Sequence, residues 1–149
     1  MKRVFNSGLF LLFMAAIMVL PAQAMSNSYQ EYEVVYTESG NIEIETTTII
    51  YASAFRSSSR KADIVSSVKQ NGAVIAEVTL SATFGYDGKT AWVSSASSSH
   101  TTYSGWSYGS EKITKSGGTA SLTGTLSHLL HRNIPVNISL TCSPTGQIS

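Results

Sequence analysis

Three observations predict an all-β fold built from antiparallel strands. Apolar residues recur at every second position through most of the chain, which is the spacing of side chains on one face of a strand. Turn-forming groups, among them Ser39-Gly40-Asn41, Asp87-Gly88 and Gly117-Gly118, punctuate these runs at regular intervals. Beyond the first two dozen residues, no segment of helical length carries a 3.6-residue apolar stripe backed by good helix formers, whereas β-branched and aromatic residues abound. Seven or eight short strands in one domain predict an antiparallel β-sandwich of immunoglobulin-like architecture, with a small closed β-barrel as the alternative.

Residues 1–24 read as a bacterial-type export signal. Lys2 and Arg3 give the positive start, Gly8 to Leu20 an apolar stretch, and Ala22-Gln23-Ala24 a small-x-small cleavage site after Pro21. That stretch spans roughly 20 Å as a helix against the roughly 30 Å of a bilayer core, so cleavage is expected over permanent anchoring. The mature product, residues 25–149, is then a single secreted, extracellular domain. It begins at Met25 and not at a lipid-accepting Cys, and it carries no hydrophobic tail, so no stable membrane anchor is expected after cleavage.

The strands follow in order. Tyr32, Val34 and Tyr36 alternate in one, and Ile42, Ile44, Thr46, Thr48 and Ile50 in the next. The clearest run places Val74, Ala76, Val78, Leu80, Ala82, Phe84 and Tyr86 on a dry face and Glu77, Thr79, Ser81, Thr83 and Gly85 on a wet one. It is long for one strand, which predicts a bend or bulge inside it. Asp87-Gly88 suits a two-residue type I′ turn, so Lys89 to about Ser98 is expected to return as the antiparallel partner. Trp106 and Tyr108 share a parity. Ala120, Leu122, Gly124 and Leu126 follow after Gly117-Gly118, and Ile134, Val136, Ile138, Leu140 and Cys142 form the last strand. Pro135 cannot donate to a ladder, which places that strand at an edge or its start at the proline.

Charge and cysteine content narrow the partners. Without Lys2 and Arg3, eight basic residues face nine acidic ones, so the electrostatic term that drives nucleic-acid binding is missing. The one basic cluster, Arg56, Arg60 and Lys61 around Ser57-Ser58-Ser59, reads as a solvated loop. A single cysteine, Cys142, permits no internal disulfide, so stability must come from the core, and the thiol itself is expected to be buried and inert. Edge strands leave homo-oligomerisation open.

Motifs for chemistry are sparse, and the protein is expected to be non-enzymatic, with no cofactor and no metal. Gly105-Trp106-Ser107-Tyr108-Gly109 matches a G-x-S-x-G elbow, yet it lacks the strand-turn-helix context, and Glu111 is the only carboxylate that follows Ser107. His128 and His131 point to opposite faces of a strand, so joint metal coordination would need a turn through Leu129-Leu130. Glu31, Glu33, Glu43 and Glu45 read as solvated charges. Tyr103, Trp106 and Tyr108 cluster in a Ser/Gly-rich segment and form the candidate ligand-binding site, because exposed rings suit sugars and other flat ligands. Burial of this cluster in the sandwich core is the favoured competing reading, with Trp92 a similar core candidate.

Ala82 to Gly88 (ATFGYDG) and the ending Leu140 to Ser149 (LTCSPTGQIS) resemble small secreted Ser/Thr-rich proteins of Gram-positive bacteria, a set with no function to carry over. The resemblance implies an extracellular bacterial setting. The leading expectation is a secreted β-sandwich that binds an extracellular or cell-surface glycan or protein. The alternative is a membrane-active or antibacterial factor that uses the hairpin within 73–98, whose alternating strands are long enough to cross a bilayer.

Overall fold

The computed structural model describes residues 29–36 in backbone, and residues 41–52 and 58–149 with their side chains. The expected export signal, Arg56 and the Ser39-Gly40 turn lie outside the described residues. Eight strands occur among those described: β1 (Tyr29–Tyr36), β2 (Ile42–Ile50), β3 (Ser59–Gln70), β4 (Ala73–Tyr86), β5 (Ala91–Thr102), β6 (Ser107–Ser116), β7 (Thr119–His128) and β8 (His131–Thr141). They form two antiparallel sheets, a five-stranded one in the order β1-β2-β3-β4-β5 and a three-stranded one in the order β6-β7-β8. The domain is therefore an open sandwich and not a closed barrel. Each sheet is a meander, so its likeness to the immunoglobulin architecture is one of layers, not of crossing connections.

The dry faces found by alternation meet in the middle. Ala76, Val78, Leu80, Ala82 and Phe84 of β4 are buried in the same core as Ala120, Leu122 and Leu126 of β7 and Val136, Ile138 and Leu140 of β8. Cys142, just beyond β8, joins them. At roughly 25 cal/mol per Å² of apolar surface, this layer carries most of the stabilisation in a chain without a crosslink. Pro135 sits opposite Thr125 on the edge strand β8, where its missing N–H costs the ladder nothing.

The expected irregularity in β4 is present. Register jumps from Val68↔Ala76 to Lys69↔Val74, leaving Ile75 as the additional residue. The bulge reverses parity, so Ile75 and Ala76 are both buried while Val74, expected on the dry face, is 36% exposed.

Two other local expectations change. The stretch around Arg60 and Lys61 is not a loop but the start of β3. Neighbours on a strand point to opposite faces, so Arg60 turns inward while Lys61 points outward over the Tyr51 ring. The connection after β4 is also longer than a two-residue turn, because Tyr86 pairs with Ala91. The Asp87 carboxylate accepts the backbone N–H groups of Thr90 (2.7 Å) and Lys89 (2.9 Å), and the Gly88 N–H donates to the Pro144 carbonyl. The Thr90 and Lys89 bonds hold Asp87 below the usual carboxylate range, and together with the Gly88 bond they pin a four-residue loop. The primed two-residue turn is instead Asn71-Gly72, where both residues have positive φ.

Candidate functional site

The three aromatics predicted to form one platform are separated by the fold. Trp106 is only 5% exposed, and its indole lies against His128 and His131 at the end of the core. Tyr108 is half-buried. Its hydroxyl end lies over Gly124 so closely that a Cβ there would collide with it, and burial, helped by the Glu111 charge, pushes its hydroxyl above the ordinary tyrosine range. Tyr103 alone is exposed, in the connection between the sheets, with its hydroxyl directed at Glu77. The inward parity shared by Trp106 and Tyr108 commits both rings to the interior, so no common aromatic strip reaches solvent.

The remaining candidates are equally local in character. Ser107 opens β6, with its Oγ donating to the Ser127 carbonyl. Ser98 donates to Glu111, and His100 stands 4.0 Å from the same carboxylate, so the acid and not the imidazole occupies the middle of that group. His128 and His131 do meet across a Leu129-Leu130 turn, with ring centroids 4.6 Å apart. Among the described residues no group of three or more His, Cys, Asp or Glu side chains is arranged to hold a metal. Cys142 is buried, its Sγ donates to the Ser143 carbonyl, and burial raises its thiol above the ordinary range against the opposing pull of Arg60.

The most exposed tryptophan or tyrosine ring among the described side chains is Trp92, expected in the core and found 45% exposed on the outer face of the five-stranded sheet. The reason is parity: Ala91 and Val93 turn inward, so the residue between them turns out. Trp92 pairs with Gly85 on β4. A Cβ on Gly85 would collide with Trp92 Cε2, with its bonded neighbours Cζ2 and Nε1 next nearest, Nε1 at 2.6 Å. That order is met when a ring is approached through its face and not its edge. The indole therefore lies flat along the sheet, one face on bare glycine backbone and the other turned to solvent. Tyr86 makes a similar contact with Gly146, but there the ring closes over the C-terminal segment.

A polar group stands further along the same sheet. On the same outer face the Lys61 ammonium sits 4.7 Å from the Tyr51 ring centroid, and the Tyr51 hydroxyl donates to Asp63 Oδ2 at 2.7 Å. That hydrogen bond, with smaller contributions from burial and the Asp63 charge, holds the Tyr51 hydroxyl protonated above its ordinary range. Asp63 Oδ1 has no hydrogen-bond partner among the described residues. Register puts Ser59 opposite Gly85 and Lys61 opposite Thr83, so two hydroxyl residues, Ser59 and Thr83, neighbour Gly85 on that face. Two exposed aromatics, Tyr51 and Trp92, thus share one face with a lysine, a carboxylate and several hydroxyls.

The fold and this surface define an antiparallel β-sandwich domain with a flat aromatic platform on its larger sheet. Comparison adds no family: no family model matches the chain, and neither a curated protein nor a solved structure matches it.

Proposed function

We propose that this is a secreted, non-enzymatic β-sandwich module that binds an extracellular or cell-surface glycan on the outer face of its five-stranded sheet. The observation that carries the reading is the Trp92 indole, laid flat on Gly85 with its second face open. A pyranose ring has an apolar C–H face rimmed by hydroxyls, and an exposed indole face matches it in shape and polarity. The hydroxyls of Ser59, opposite Gly85, and of Thr83, on the same face of β4, supply donors and acceptors near the ring, where a sugar's equatorial hydroxyls project. The pair is preorganised, because the sheet fixes the floor and the floor fixes the ring, so little freedom is lost on binding.

The test is retention of the protein by neutral and acidic bacterial polysaccharides in affinity electrophoresis, followed by a titration with the retaining glycan. Trp92→Ala is expected to weaken binding at least tenfold with the fold intact, and Trp92→Tyr to keep part of it. Equal retention of wild type and Trp92→Ala would remove Trp92 from the site. Absence of retention by every polysaccharide would overturn the glycan reading.

A further inference from the structure

We propose that the β7–β8 hairpin tip is a lipid-docking point, at which Leu129 and Leu130 enter the outer layer of a bilayer with anionic headgroups. The two leucines are the most exposed large apolar residues among those described, at 96% and 81%. They form a two-residue turn, since His128 pairs directly with His131.

The local chemistry of this turn runs against folding propensity. Two-residue hairpin connections favour Asn or Gly with positive φ, as at Asn71-Gly72 in this same chain, and neither leucine adopts positive φ. The mismatch is absorbed by a register shift between Leu126 and His128. A sequence that places two apolar, turn-averse residues at a solvent-facing tip, and accommodates them with a bulge, departs from local consistency where functional sites do so.

The tip stands on a rigid base. The His128 and His131 rings pack together and against Trp106, which is anchored in the core, and the Gln70 amide reaches within 3.5 Å of His131 Nδ1. Composition is graded along the projection: leucines at the apex, then imidazoles and Arg132, with Tyr103 on a neighbouring connection at the same end. That is the order from acyl chain to headgroup in interfacial segments. Between Ser127 and Asn133 there is no acidic residue, and Arg132 is exposed, so the charge on the hairpin complements an anionic surface. A protein partner of ordinary affinity needs some 800 Å² from each side, which a two-residue apex does not present. This site is remote in kind from the Trp92 platform, and neither inference depends on the other.

The experiment is co-sedimentation of the purified protein with phosphatidylcholine vesicles, alone or with about a third phosphatidylglycerol. Wild type is expected to bind the anionic vesicles at millimolar lipid and the neutral ones more weakly. Leu129→Ser/Leu130→Ser should lower binding to both at least tenfold with unchanged circular dichroism and melting, since both side chains lie outside the core. Arg132→Gln should remove most of the preference for anionic vesicles. Wild type that stays in the supernatant with both vesicle types, or a double serine variant that sediments like wild type, would overturn the proposal.

Discussion

Replacing Gly85 by alanine separates the aromatic platform from the fold that carries it. The new methyl group would fall on the Trp92 ring, so one of the two must move. Gly85 belongs to β4, held by ladders to β3 on one side and β5 on the other, whereas Trp92 is nearly half exposed and can rotate outward. The ring should yield. A tryptophan offers up to about 250 Å² of surface and about half of it is covered here, so at about 25 cal/mol per Å² the whole cover stabilises by roughly 3 kcal/mol at most. The glycine floor supplies a fraction of that, about 1–1.5 kcal/mol. Removing a strand glycine returns about 0.5–1 kcal/mol of backbone entropy, and the φ of Gly85 is not in the positive range that would penalise alanine. The net loss is then about 1 kcal/mol or less, a fall of about 4 °C or less in melting temperature for a domain of this size. Glycan affinity should nonetheless fall about tenfold or more, because the ring leaves the plane the ligand meets. Thermal melting and affinity electrophoresis on the same preparation measure both. Gly85→Ala binding within twofold of wild type would refute the platform. A fall of well over 10 °C would show instead that Trp92 serves stability.

Other perturbations probe the rest of the sandwich. Gly124→Ala drives a methyl group into the Tyr108 hydroxyl end inside the fold, and overpacking of this kind should cost about 1–3 kcal/mol by urea denaturation. Tyr108→Phe, in contrast, removes a buried hydroxyl with no partner among the described residues and should leave stability at or above wild type. Cys142 should resist a thiol reagent until the protein unfolds; because its folded thiol ionises later than an unfolded one, its contribution holds through neutral pH and is lost as pH rises above about 8.5. At Asp87 the sign is opposite: the Thr90 and Lys89 N–H bonds lower its carboxyl, so its stabilisation is present above the ordinary carboxylate range and lost as pH falls through it. Asp87→Ala should therefore destabilise the protein at neutral pH and flatten the acid limb of a melting-temperature profile.

The fold was legible because burial in a two-layer sandwich follows parity, and parity needs no knowledge of partners. Every apolar position read on the dry faces of β7 and β8 is buried or half-buried, and so is the β4 set from Ala76 to Tyr86. What parity cannot supply is a one-residue insertion inside a strand. Ile75 is such an insertion, and it carries Val74 out of the core although Val74 continues the alternation faultlessly. β3 was hidden for a different reason: its hydroxyl and charged residues look like a loop, and it is a strand because β2 and β4 satisfy its backbone on both sides.

The candidate site was obscured by a turn length. A two-residue turn at Asp87-Gly88 would set Gly85 opposite Thr90, whereas the four-residue loop sets it opposite Trp92. The outward face of Trp92 was available from Ala91 and Val93, which flank it with the inward parity, but hydrophobicity argued for the core and parity for solvent. Parity prevails at this position because Gly85 gives one face of an indole partial shelter while leaving the other wet. Trp106 and Tyr108, chosen for their clustering, have their contacts inside the sandwich, with the histidine pair and Gly124. Clustering in sequence reports how many rings a segment carries; pairing across a hairpin decides which of them has a free face.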